Sequence, residues 1–208
     1  MDQPRPKPIA PRQLRAVETR RRLLDAVETL VAAEGSAAVT TTRLAAETGV
    51  SVGTIYRYFS DREALLLAAY DATVERIVVE CAAELGMLPA ALAPADAADA
   101  MLTAWLDAAA AIPSHAGLLV AMRAIRPTET DQHGAAQSGI LRDVFLPFLA
   151  RYLPDSASTA PASLSLASVL ISTMVDLYLV EEPAARPALR KEIAAHVRLM
   201  VERISAAR

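Results

Sequence analysis

A single cysteine, Cys81, and only 4% aromatic residues stand in this chain of 208 residues. One thiol cannot close an internal disulfide, and Cys81 has no Cys or His neighbour with which to hold zinc. His115, His133 and His196 lie far apart, none of them in an HExxH or HxxxH frame. The seven glycines are scattered and no Gly-Lys-Ser or Gly-Lys-Thr follows one, so a phosphate-cradling loop is missing. Ser114 and His115 are adjacent, but neighbours in a helix point apart and no partnering acid is implied. No metal, no cofactor and no enzymatic centre are therefore expected. Nor does any run of about 18 apolar residues go without a charge, and the N-terminus carries no signal-peptide core. That points to the cytoplasm and away from a membrane.

What the chain has in excess is aliphatic carbon. Hydrophobic residues reach 53%, so with few aromatics the core must be mostly Ala, Leu and Val. Ala and Leu favour helices, and an all-α fold of about nine helices is expected. The length allows one large domain or two small ones with a real core. Charge is uneven. Residues 1–62 carry 10 Lys+Arg against 7 Asp+Glu, or +3, and the remainder 11 against 17, or −6. A basic front and an acidic back suit a molecule that offers one end to phosphates.

Thr40 to Phe59, TTTRLAAETGVSVGTIYRYF, is the stretch around which the rest is organised. Thr40 can cap a short helix whose apolar face is Leu44 and Ala45. Thr48-Gly49-Val50-Ser51 reads as a tight turn, with Gly49 free to take positive φ and Ser51 capping the next helix. That helix, Val52 to about Tyr58, is too short and polar for a core. Ile55 and Phe59 can face inward, leaving Val52, Gly53, Thr54, Tyr56, Arg57 and Tyr58 to face out. Two short helices joined by a glycine turn follow the helix-turn-helix plan for entering a major groove, although an ordinary helical hairpin has the same outline.

The surrounding residues add a resemblance. Thr40-Thr41, Leu44-Ala45, Gly49-Val50-Ser51, Gly53-Thr54-Ile55-Tyr56, Tyr58-Phe59 and Asp61-Arg62-Glu63-Ala64-Leu65 occur in order and at the spacing that resembles the DNA-binding domain of the TetR (tetracycline-repressor) family. The likeness spans about residues 12 to 70; beyond that only length and helical character agree. It implies an N-terminal three-helix DNA-binding domain (12–60) after a flexible basic arm (1–11), and a C-terminal ligand-binding and dimerisation domain (61–208). Thr40, Tyr56, Tyr58 and Arg62 are then expected on phosphates, and Thr42, Arg43, Val52, Gly53, Thr54 and Arg57 near base edges. Gly53 would act by absence, since a side chain there would hold the helix off the groove. In the arm, Arg5, Lys7 and Arg12 could follow phosphates or enter the minor groove.

The first helix should run from about Arg12 to Glu34, burying Leu23, Leu24, Val27, Leu30 and Val31. Ser60, with Glu63 in a capping box, should open a long helix to about Leu85 that joins head to body and serves as the lever between them. Helices follow at about 95–111 and 114–126. A polar loop is expected over 128–139, and a helix over 140–153 that Pro147 must bend or interrupt. A Ser/Pro/Ala linker spans 154–161. The last two helices, about 162–182 and 184–206, suggest a four-helix homodimer interface through Leu166, Leu170, Leu177, Ile193, Val197, Met200 and Ile204; completing the monomer core is the other use for such faces.

Each of Met101, Trp105, Leu118, Met122, Phe145, Phe148, Tyr152, Met174 and Tyr178 could be plain core, but together they suggest a ligand cavity between these helices, with His115 and Asp107 to orient an apolar or aromatic effector. Asp176, inside an apolar helix, should make a buried or interface hydrogen bond near Ser172 and Thr173; a ligand contact is the other role open to it. Together these readings describe a ligand-responsive repressor that grips a palindromic DNA operator as a homodimer. The alternatives are a helical small-molecule binder or enzyme that does not act through DNA, or a regulator that activates or answers a protein partner.

Overall fold

The computed structural model describes residues 11–126, 139–154 and 161–206. The arm residues Arg5 and Lys7, most of the 128–139 loop and most of the 154–161 linker lie outside the described residues. Nine α-helices and no strand occur among those described, as the composition leads one to expect. They are α1 (Pro11–Glu34), α2 (Thr41–Thr48), α3 (Val52–Tyr58), α4 (Arg62–Met87), α5 (Pro94–Ala110), α6 (His115–Ile125), α7 (Leu146–Tyr152), α8 (Pro161–Val180) and α9 (Arg186–Ala206).

Local chemistry sets most of the boundaries. Thr40 is extended and its side chain accepts the Arg43 N–H at 3.2 Å, starting α2. Gly49, at φ 67, stops it, and its N–H reaches the Ala45 carbonyl. Only a residue without a Cβ takes that backbone conformation freely. Ser51 accepts from the Thr54 N–H and starts α3. At the head of α4 the cap is Asp61 and not Ser60: the Asp61 carboxylate takes the Ala64 N–H at 2.7 Å, while Ser60 merely donates to Asp61. A carboxylate is the stronger acceptor at the positive end of a helix, so it wins the position.

Pro147 does interrupt its helix. Leu141–Phe145 form a π-helical turn, and α7 starts with Pro147 in its first turn. The ring would meet the carbonyl four residues back in a continuous α-helix, and the wider turn relieves that conflict. Arg151 of α7 donates to the carbonyls of Leu85 and Leu88, closing the end of α4, and the Tyr152 hydroxyl donates to the Pro89 carbonyl at 3.0 Å.

Packing produces two cores. The head core holds Leu23, Val27, Leu44, Ile55, Phe59, Leu65 and Leu66, together with Leu118 and Ala121 of α6. The body core begins on α4 at Val74 and takes in α5, α7, α8 and α9. α4 contributes to both, the change falling between Ala69 and Val74, and α6 adds Leu119 and Met122 to the body core. α5 and α6 meet at a bend of 91°. No single helix among the described residues is long and apolar enough to cross a membrane.

Candidate functional site

The face built by α2 and α3 begins with what is buried. Leu44 and Ile55 are fully buried, and Phe59 nearly so, pinning the two short helices to α1 and α4. Their outer sides are thereby turned to solvent. Thr40, Thr42, Ser51, Val52, Gly53, Tyr56 and Arg57 are exposed, and Thr54 and Tyr58 are half-buried. The Ser51 and Thr54 hydroxyls lie 2.9 Å apart. Arg57 bonds to no described residue, so its whole guanidinium is available. A methyl built on Gly53 meets nothing within 4 Å, so nothing inside the protein requires glycine there.

Two expected DNA-facing arginines are already engaged. Arg43 makes a two-pronged contact with Glu34, with Nη1 to Oε2 at 2.7 Å, and this holds the Glu34 carboxyl below its ordinary range. Arg62 is exposed, yet it donates to the carbonyls of Val39 (2.8 Å) and Ser36 (2.6 Å), clamping the turn before α2. A sequence pattern cannot show this, because the partners are carbonyls 23 and 26 residues away. Arg22, which no motif singled out, donates to the Thr48 carbonyl and anchors the α2–α3 turn to α1, and Arg20 lies 5.6 Å over the Phe59 ring.

In the body, α5, the π-helical turn, α7, α8 and α9 line a partly open cavity of about 90 Å³. Met101, Trp105, Phe145 and Phe148 line it. His115, Leu118, Met122, Tyr152, Met174 and Tyr178 do not. Leu118 is fully buried in the head core, because α6 leans on α1 as well as on the body. Met122 and Tyr152 are buried in the body core, and Met174 and Tyr178 pack half-buried against it. Asp107 is exposed and pairs with Arg190 at 3.4 Å. Asp176 is satisfied not by Ser172 or Thr173 but by Arg123 of α6 at 2.9 Å, and burial still raises its carboxyl to about 6.

His115 belongs to the junction between the two cores. It is 3% exposed, and its Nδ1 lies 2.7 Å from Thr73 Oγ1. The Thr73 hydroxyl donates to the Tyr70 carbonyl at 2.6 Å, so its one proton is committed and His115 must donate from Nδ1. Burial, then the nearby Arg76, push the imidazole down to about 4, and it is neutral. Tyr70 stacks on the ring with centroids 5.6 Å apart. Beside it, Glu28 of α1 accepts from Arg76 of α4 (2.6 Å) and from Ser114 at the start of α6 (3.0 Å). Gly117 lies so close to α1 that an added methyl would sit 2.8 Å from Val31 Cγ1. These ties cross 48 and 86 residues of chain and had no signal in the sequence.

The expected dimer residues divide by helix. Leu166, Leu170 and Leu177 of α8 are 56%, 43% and 46% exposed. Ile193 and Val197 are buried in the protomer's own core, and Val197, Met200 and Ile204 line the cavity. The stripe on α9 is thus spent on α5 and the cavity, leaving Leu199, 61% exposed, on the other side.

A helix-turn-helix with a fully presented second helix, mounted on an all-helical body through shared α4 and α6, defines a transcriptional regulator of the helix-turn-helix class. Residues 23–69, the helix-turn-helix head with the start of α4, match the family described as bacterial regulatory proteins, tetR family. No curated protein matches it. Among solved structures it is similar to the transcriptional regulator FadR from Bacillus subtilis in complex with stearoyl-CoA (14% identity, 90% of this chain and 98% of that one, TM-score 0.60). It is also similar to the TetR family repressor AlkX from Dietzia sp., implicated in biodegradation of n-alkanes (20%, 88% and 96%, 0.58). SCO7222, a TetR from Streptomyces coelicolor, is similar as well (22%, 90% and 97%, 0.60). At these identities the likeness carries the fold.

Proposed function

We propose that the protein is a ligand-responsive repressor that binds a palindromic or near-palindromic operator as a homodimer and leaves it when a small apolar or aromatic molecule enters the body cavity. The observation that carries the reading is α3: Ile55 holds it in place while Gly53, Tyr56 and Arg57 are left without partners among the described residues. Tyr56, Tyr58 and Thr40 take phosphates. Arg57 takes guanine O6 and N7, and Val52 and the Thr54 methyl meet thymine methyls. Arg43 reaches a base only by exchanging Glu34 for it, and Arg62 serves the operator chiefly by holding the turn.

The homodimer forms through α8. Leu166, Leu170, Thr173, Leu177 and Val180 make one exposed stripe at heptad-like spacing. These leucines are already about half covered, so burying the rest of each contributes roughly 0.7–1.5 kcal/mol. Two heads so paired present α3 about 34–36 Å apart, one turn of the duplex.

Release follows from linkage. Val175 lines the cavity, and the next residue, Asp176, holds Arg123 of α6. α6 then bears on α1 at Gly117 and Ser114. A molecule that fits better when these helices shift lowers operator affinity by the same coupling, typically ~1–3 kcal/mol. The lever thus has two arms, α4 and α6. A mobility shift on the DNA flanking the protein's own gene tests the reading: the parent retards it, and Tyr56→Ala weakens the shift while the fold persists. If Tyr56→Ala bound as tightly as the parent, α3 would not be the reading element.

A further inference from the structure

We propose that the cavity selects an uncharged molecule, largely apolar and carrying one hydroxyl or carbonyl group, which it anchors on Ser168 and Ser172. The inference rests on the cavity being the effector site and adds the chemistry that the site accepts. The described lining contains no Asp, Glu, Lys, Arg or His. A carboxylate or phosphate entering it would shed its hydration with no cation to meet it.

The polar groups on the wall are few and specific. Ser168 and Ser172 stand one turn apart on α8 and both line the cavity, as does Trp105 with its indole N–H. Several helical hydroxyls elsewhere in the chain are satisfied by the carbonyl four residues back, among them Thr29 on Asp25 (2.9 Å), Thr173 on Val169 (2.9 Å) and Ser205 on Val201 (2.8 Å), while Thr103 of α5 is exposed to solvent. Ser168 and Ser172 make no hydrogen bond to any described residue. Two unengaged hydroxyls at this spacing can grip one polar atom from two directions while the rest of the ligand lies against Met101, Phe145 and Phe148. A site built to hydrogen-bond a hydroxyl discriminates strongly against an analogue that lacks it. The volume, about 90 Å³, is smaller than the ~150 Å³ that takes a benzene, so the cavity holds the polar head and first carbons of such a molecule while the rest of its chain leaves by the open side.

The test titrates the full-length protein with n-octanol, octanoate and n-octane at neutral pH, reading emission from Trp105, the one tryptophan. n-Octanol should bind about tenfold or more tightly than either of the others. Ser168→Ala with Ser172→Ala should bring n-octanol down to the level of n-octane and leave n-octane unchanged; alanine favours the helix, and circular dichroism verifies the fold. Octanoate binding as tightly as n-octanol, or n-octanol affinity untouched by the double substitution, would overturn the selectivity. If none of the three alters Trp105 emission or the thermal midpoint, the cavity is not the effector site, and the reading beneath this one fails with it.

Discussion

Gly53→Ala separates what the fold needs from what the operator needs. Gly53 is the second residue of α3, lies outside the positive-φ glycines, and would carry a methyl into open space. Glycine in a helix costs ~0.5–1 kcal/mol relative to alanine, so the substitution should leave the fold unchanged or firmer by up to about 1 kcal/mol. For a chain of this size that is a rise in Tm of about 2–4 °C or less. On the operator the sign reverses. If α3 lies in the groove with Gly53 against the duplex, a methyl lifts the helix and loosens the contacts of Val52, Tyr56 and Arg57 around it. Losing one or two hydrogen bonds to charged phosphates or base edges costs about 1.5–3 kcal/mol, or roughly 10–150-fold in Kd. Thermal unfolding and fluorescence anisotropy on the DNA flanking the gene read the two effects. The salt dependence of binding should keep its slope, because no charge has changed. A variant that binds DNA like the parent, or one that loses stability, refutes the placement of α3.

Gly117→Ala should do the opposite at the junction: its methyl, 2.8 Å from Val31 Cγ1, overpacks a buried contact and lowers stability by about 1–3 kcal/mol. Adding Val31→Ala should recover part of that in a double-mutant cycle, and strict additivity would argue against the contact. His115 makes stability depend on pH. Its folded value, about 4, lies below the unfolded ~6.5, so in that window the unfolded chain takes a proton that the folded one refuses, and stability falls as pH drops. The full effect is on the order of 3 kcal/mol. Asp176, raised to about 6, works with the opposite sign. The comparison is therefore parent against His115→Gln: the parent's advantage in urea unfolding should shrink from neutral pH towards pH ~4, and a constant gap would refute the assignment. Leu170→Glu places a charge in the α8 stripe where the residue is 43% exposed in one copy. Sedimentation should then report a monomer with unchanged helicity, and a persistent dimer would move the interface elsewhere.

The head was legible before any coordinates because its determinants are local. Thr40, Gly49 and Ser51 act on backbone groups within about four positions, and the spacing of Leu44, Ile55 and Phe59 decides which sides of α2 and α3 are buried. Asp61 displaced Ser60 as a cap through a competition between neighbours that only geometry resolves. The body was less legible for a different reason. Periodicity says that one side of a helix is apolar, not what covers it. The stripe on α9 looked suited to a second copy and is largely consumed by α5 and the cavity, while the apolar surface left exposed is the Leu166–Leu170–Leu177 side of α8.

His115 looked like a polar anchor for a ligand and is held by Thr73, 42 residues away, in the seam between the cores. Arg62 and Arg43, exposed and basic, looked free for DNA and proved to be bonded within the head. By itself the order of residues determined where helices start and stop, which glycine turns the chain and which short helix is presented outward. The tertiary structure alone decided which arginines remain free, which hydroxyls face the cavity and how α6 ties head to body. Those outcomes depend on groups that meet only after distant helices pack, and no short-range pattern encodes such meetings.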